Sequence, residues 1–297
     1  MIYPGRIGLM AMAAIMLGLM LNGPASATGV TGFRLGGRPA QDVFTNPQTA
    51  SLAKAACTGS VSKINALVKN GADVNGRGEK GITPLIWAMT CHNYKGMETL
   101  LQHGANPNQA MIYGETPTWL AAGGSDPKIL PILLDHGGNP NYYCADCQGT
   151  SVLENAIDYQ RTANMKLLVR RGANVNFHGH DKALNRSAVG GFSVADNAIA
   201  AGRFDYIVYL LHHGYNYNLQ ELANSILQEK NTFGQRYWKG NELLTNPHWR
   251  NDKKQMQRYA YFKQALQILA AKGYKAHKIP RKTLPMNPPS SSVGEGQ

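Results

Sequence analysis

The stretch Gly81-Ile-Thr-Pro-Leu85-Ile-Trp-Ala88, followed by Leu100-Leu-Gln-His-Gly104-Ala-Asn-Pro-Asn108, decides the fold, because both halves of it recur. The first half returns as Gly114-Glu-Thr-Pro-Thr118-Trp-Leu-Ala121. It returns in weaker form as Gly149-Thr-Ser-Val-Leu153-Glu-Asn-Ala156 and Phe192-Ser-Val-Ala-Asp-Asn-Ala198. The second half returns as Leu67-Val-Lys-Asn-Gly71-Ala-Asp-Val-Asn75, Leu133-Leu-Asp-His-Gly137-Gly-Asn-Pro-Asn141, Leu168-Val-Arg-Arg-Gly172-Ala-Asn-Val-Asn176 and Leu210-Leu-His-His-Gly214-Tyr-Asn-Tyr-Asn218. Leu269-Ala-Ala-Lys-Gly273-Tyr274 is a degenerate sixth copy. Successive glycines are 33, 33, 35, 42 and 59 residues apart. From Ala55, Ala88, Ala121, Ala156 and Ala198 to the next landmark glycine is always 16 residues. Two landmarks in constant phase over five units define an internal repeat.

Each landmark has a physical reading. Thr83 and Thr116 are N-caps, since a hydroxyl accepts a bond from a free amide of the first turn. Pro84 and Pro117 follow at the first helical position, where a missing N–H costs nothing. The alanine in constant phase lets two helices approach closely, and the Leu-Leu or Leu-Val pair closes a second helix over the core. The glycine ends that helix in a left-handed conformation. The asparagine after it is expected to finish the turn with local side-chain bonds. One unit cannot bury its own apolar face, so the units must stack.

The pattern resembles the ankyrin repeat, whose period is about 33 residues with a Thr-Pro-Leu-His-x-Ala start. The resemblance spans roughly residues 51–274. It implies an all-α solenoid of five to six helix-turn-helix units with β-hairpin-like connecting loops. It also implies a protein-binding role, through hairpin tips and the concave inner-helix face, with no catalytic activity and no cofactor. Resemblance to exported bacterial ankyrin proteins implies either protection from a secreted antibacterial toxin or support of a stress enzyme such as catalase. Departures stand out. The family's histidine is Ile86, Trp119, Glu154 and Asp196 here, which leaves the usual histidine bonds between repeats without a donor. Glu154 and Asp196 read as a solvated pair on the inner-helix surface. The fourth junction, 177–190, carries extra residues, and an insertion expands the last unit around 231–255. The resulting organisation is a signal peptide (1–27), a flexible leader (28–48), five repeats (49–218), an expanded basic cap (219–280) and a disordered tail (281–297).

Composition places the chain. With 43% hydrophobic and 16% charged residues it can bury a sizeable core and is not disordered throughout. Arg6, the uncharged apolar run 7–21 and Ala25-Ser26-Ala27 form the three-part layout of a secretory signal peptide, with cleavage after Ala27. The run is shorter than the roughly 20 residues of a membrane span. The expectation is therefore a periplasmic or secreted monomer with no transmembrane span in the mature chain and no nucleic acid as partner. The net charge of +12 favours an acidic protein partner. Thirteen Lys and Arg against five Asp and Glu fall in 219–297, which fits either a soluble terminal cap or a patch for an anionic envelope surface of lipid or polysaccharide. Along 253–271, Met256, Tyr259, Phe262, Ala265, Leu266 and Leu269 share a helix face.

Four cysteines suit an oxidising compartment. Cys144-Ala-Asp-Cys147 lies at a hairpin tip rather than at a helix N-terminus, so it reads as a structural disulfide and not a redox pair. Cys57 and Cys91 occupy near-equivalent points of repeats one and two, and form a second bridge if their Cα atoms come within about 7 Å. His178-Gly-His180-Asp181 has no fixed third ligand and reads as polar loop, with no metal. No nucleophile elbow, phosphate loop, His-Glu-x-x-His or paired-carboxylate motif occurs. The remaining candidates are partner-binding residues: Arg77, Lys80, Met111, Ile112, Tyr113, Tyr142, Tyr143, Asp146, Phe177 and His178 at the tips, and Trp119 on the inner helix. Aromatic and arginine side chains supply most binding hot spots.

Overall fold

The computed structural model describes residues 38–147, 149–178, 193–236 and 253–276, with the backbone alone for 228–236. The expected signal peptide, residues 28–37 of the leader, His180 and Asp181 of the fourth tip, residues 237–252 of the insertion and the tail lie outside the described residues. The chain divides into two units after Tyr217.

The first unit opens with a short helix, α1 (Ala40–Val43), inside the stretch expected to be a flexible leader. Val43 and Phe44 are buried, and the Phe44 ring meets Trp87 edge-on at 5.9 Å. Five helix pairs follow. The inner helices are α2 (Pro47–Thr58), α4 (Pro84–Thr90), α6 (Pro117–Gly123), α8 (Val152–Asp158) and α10 (Val194–Ala200). Their outer partners are α3 (Val61–Lys69), α5 (Tyr94–Gln102), α7 (Ile129–Asp135), α9 (Thr162–Arg170) and α11 (Phe204–His212). Inner helices of seven residues are too short to persist alone, so packing holds them. Each inner helix packs on its own outer helix; α2 packs on α4, α6 on α8, and α8 on α10. Ala55, Ala88, Ala121, Ala156 and Ala198 are all buried, as close helix approach requires. The tightest approach is at Gly96, where a Cβ would stand 1.9 Å from the Ala56 carbonyl oxygen.

The expected caps are present. Thr83 and Thr116 accept from the amides of Ile86 (3.3 Å) and Trp119 (3.1 Å), and Asn46 caps α2. Ser151 and Ser193 cap α8 and α10 in the same way, and here the third helical residue answers. Glu154 accepts from the Ser151 amide and Asp196 from the Ser193 amide, both at 2.8 Å. Two otherwise free amides at each of these helix starts are thereby satisfied. The reading of Glu154 and Asp196 as a solvated pair is corrected: Glu154 is buried, and both carboxylates belong to capping boxes.

The first asparagine after each glycine closes the turn by a local side-chain bond as expected, while the later one has a further role. The turn after each landmark glycine is closed by the residue two positions on: Asp73, Asn106, Asn139 and Asn174 accept the amides of Asn75, Asn108, Asn141 and Asn176. The later asparagine instead reaches the next repeat. Asn75, Asn108, Asn141 and Asn176 donate to the carbonyls of Gly104, Gly137, Gly172 and Gly214 at 2.8–3.1 Å. Each also accepts the amide of Asn106, Asn139, Asn174 or Asn216 at 2.7–2.8 Å. This ladder supplies inter-repeat bonds where the family's histidine is missing. It also requires the left-handed turn at the glycine; Gly104, for example, has φ +85° with open space around it, so backbone conformation and not crowding selects glycine.

The second unit holds α12 (Leu219–Arg236) packed on α13 (Lys253–Ala271). Phe262, Ala265 and Leu269 are buried, while Met256, expected on the same face, is 40% exposed. Among the described residues, no helix is long and apolar enough to cross a membrane.

Candidate functional site

The connecting loops project as tips from one edge of the first unit. They are short because each turn closes on itself. In tip 1 the Gly78 amide donates to the Ile82 carbonyl, and Lys80 takes φ +56° inside a 3₁₀ turn (Glu79–Gly81). In tip 2 the Met111 amide donates to the Glu115 carbonyl at 2.8 Å. Tip 3 is a two-stranded ribbon, β1 (Tyr143–Cys144) antiparallel to β2 (Thr150–Ser151), with Cys144 opposite Thr150. Tip 4 is described through Phe177 and His178; His178 bridges to Ser193.

Hydrogen bonds to backbone carbonyls join the tips side by side. The Ile112 amide donates to the Lys80 carbonyl (3.1 Å), and the Arg77 guanidinium donates to the Ala110 carbonyl (3.1 Å). On the other side the Tyr142 hydroxyl donates to the Gly114 carbonyl at 2.6 Å. Cys144 and Cys147 form a disulfide with Cα atoms 5.1 Å apart, and their sulfurs lie 3.7 and 3.4 Å from the Tyr113 carbonyl oxygen. The Tyr142 bond thus ties tip 3 to tip 2, with the disulfide packed against the Tyr113 carbonyl. The ring of Tyr143 then meets Phe177 at 5.3 Å. Cys57 and Cys91 are also bridged, with Cα atoms 5.4 Å apart, so repeats one and two are linked covalently.

This geometry sorts the candidate residues. Ile112 and Tyr113 stand out at 58% and 57% exposure, with Met111 half-buried behind them. Arg77 and Lys80 flank them on one side and Asp146 on the other, all exposed. Tyr142 is half-buried between; burial, then the charges of Asp146 and Glu115, hold its hydroxyl above the usual tyrosine range. Tyr143 and Phe177 continue the aromatic line. His178 is exposed, with its ring stacked on Tyr217 at 4.4 Å. Trp119 is half-buried on α6, in the row of Ile86 and Glu154, and its indole N–H is buried with no acceptor among the described residues. Glu115 was not anticipated: one of its carboxylate oxygens is buried without a partner among the described residues, beside the exposed tip. Its place directly before the Thr116 cap was the only signal in the sequence.

A second polar cluster lies where the helix pairs turn. Asp126 accepts from the Tyr94 hydroxyl (2.7 Å) and the Lys128 amide (3.0 Å), and meets His92 Nδ1 at 2.7 Å. Burial opposes ionisation of Asp126, but these partners outweigh it and hold its carboxyl below the usual range. Chiefly through that same bond, Tyr94 is pushed up to about 12. The cluster ties repeat two to repeat three. Among the described residues, no group of three or more His, Cys, Asp or Glu is arranged to hold a metal ion.

Residues 34–111 match the family model described as ankyrin repeats (3 copies). No curated protein matches the chain. The helix pairs, caps and glycine turns that lie within the matched residues continue with the same geometry to Gly214, and the fold is an ankyrin-repeat solenoid. Ankyrin repeats are protein-interaction modules.

Proposed function

We propose that this chain is an exported protein that binds one protein partner through its hairpin tips and the adjoining inner-helix face. The observation that carries the reading is the pair Ile112 and Tyr113, large apolar side chains more than half exposed on a tip held rigid by both neighbours. Exposed apolar groups on a rigid, polar-rimmed surface mark interaction sites. Rigidity matters because little ordering entropy is then lost on binding. Export is supported by the layout of residues 1–27 and by four cysteines that all pair. The net charge of +12 favours an acidic partner for the chain as a whole, though most of that surplus lies outside the tips. An inhibitor of a secreted toxin requires one tight, stoichiometric partner; a helper of a stress enzyme requires a partner that keeps its activity when bound.

The test places a photo-cross-linking amino acid at Ile112 or Tyr113, and as a control at the exposed Lys63 on α3. The expected result is one discrete adduct from the tip positions and none from Lys63. Adducts from neither, or equally from both, overturn the reading. N-terminal sequencing of the mature chain tests export, with Thr28 as the expected first residue.

A second reading has its own observation. The described residues of 38–217 carry 13 Lys and Arg against 12 Asp and Glu, so the surplus positive charge belongs mainly to 219–297. Attachment of that unit to an anionic envelope surface predicts binding that collapses with salt and survives changes at the tips.

A further inference from the structure

The first three tips make one surface whose middle is apolar and whose two flanks differ in charge. Tip 1 brings exposed Arg77 and Lys80; its one acid, Glu79, is paired with Arg38. Tip 2 brings Ile112 and Tyr113. Tip 3 brings exposed Asp146, and on that side of tip 2 Glu115 has a carboxylate oxygen without a partner among the described residues. Between 111 and 147 the sole Lys or Arg is Lys128, whose ammonium lies over the Tyr94 ring in the cluster where the helix pairs turn. The flanks are held close to the apolar centre. Arg77 donates to Ala110, and a Cβ at Gly114 would stand 3.7 Å from the Asp146 Cβ. The raised hydroxyl of Tyr142, caused by burial and then by Asp146 and Glu115, registers the negative field at the second flank.

We propose that this surface takes an extended protein segment that is apolar in its middle, acidic at the end over Arg77 and Lys80, and basic at the end over Asp146. The proposal rests on the tips being the partner-binding site and goes beyond it by fixing the partner's charge order. Packed helices stand about 8–10 Å apart, so tip 1 to tip 3 is roughly 20 Å. About six extended residues at ~3.3 Å each cover that span. A segment of one sign meets like charge at one flank, which costs binding and lowers the rate of encounter. The net charge of the chain alone would favour an all-acidic segment; the tips do not.

The probe is a displayed library of random 12-residue peptides, selected against the full oxidised chain. The expected winners carry an apolar core with acidic residues on one side and basic residues on the other. A winner whose basic end is made acidic should bind about tenfold weaker, a difference that double-mutant logic can assign to one flank. On the Asp146→Lys chain that preference should invert, with the all-acidic version now the tighter. Two results overturn the proposal while leaving the tip site standing: winners of a single charge sign, or bipolar and all-acidic versions that bind alike, in either case with binding lost in Ile112→Ser/Tyr113→Ser. Winners unaffected by Ile112→Ser/Tyr113→Ser overturn the tip site and the proposal together.

Discussion

Single side chains do the joining between repeats. Asn108 bonds two backbone groups of the following turn, both partly open to water that can replace it. Asn108→Ala is therefore expected to cost about 1 kcal/mol of stability, the net value of such bonds, in denaturant unfolding. Asp126 is the sharper case. Its depressed carboxyl contributes stability that is fully present above the ordinary aspartate value of 3.8 and is lost as pH falls through the lower folded value. Asp126→Asn should thus weaken the chain at neutral pH, by an amount that solvent screening keeps small, with the gap to wild type closing in acid. Tyr94 gives the opposite limb: with its hydroxyl raised to about 12, its contribution persists below its ordinary value of 10.0 and disappears as pH rises past the folded one. Absorbance titration should show several late-titrating tyrosines, and Asp126→Asn should return one of them, Tyr94, toward the ordinary range while Tyr142 and Tyr215 stay raised. Neither effect was readable in the sequence, because His92 and Tyr94 lie 34 and 32 residues from Asp126, and only the stacked fold brings them together.

At the scale of elements, the two disulfides are predicted to differ. Cys57–Cys91 closes a loop with sequence separation 34, whereas Cys144–Cys147 closes one of 3. Loop-closure entropy makes the first worth about 3–4 kcal/mol and the second about 2. Unfolding of Cys57→Ser/Cys91→Ser and Cys144→Ser/Cys147→Ser variants checks the order, and equal losses would contradict it. The close contact at Gly96 gives another expectation: Gly96→Ala should cost about 1–3 kcal/mol, because α5 must move off α2. What was legible at this scale was whatever is local. Thr83 and Thr116 cap residues three further on, so their role follows from spacing alone. Ser151-x-x-Glu154 carries the same local signal, a capping box, in a position where the family's pattern has a histidine. The Asn ladder was missed because its partners lie 29 to 40 residues away. The tips were legible as places and only partly as surfaces. Ile112 and Tyr113 are exposed apolar side chains, while His178, also exposed and also in a loop, has its ring stacked on Tyr217.

Taken as a whole molecule, the chain separates two kinds of surface: a charge-balanced repeat array with an apolar tip, and a basic second unit. If the second unit also attaches to an anionic surface, retention on vesicles containing anionic lipid should fall steeply with salt. It should also fall when the exposed Lys253, Lys254, Lys263 and Lys272 are changed to Glu. The tip variants should leave that retention unchanged. If the tips hold a protein partner, titration calorimetry of the cross-linked partner, once purified, should separate wild type from Ile112→Ser/Tyr113→Ser, with Lys63→Ser as control. The Kd should be at least about tenfold weaker, or about 1.4 kcal/mol, for the tip variant alone. An unchanged Kd for the tip variant would contradict a partner held at the tips.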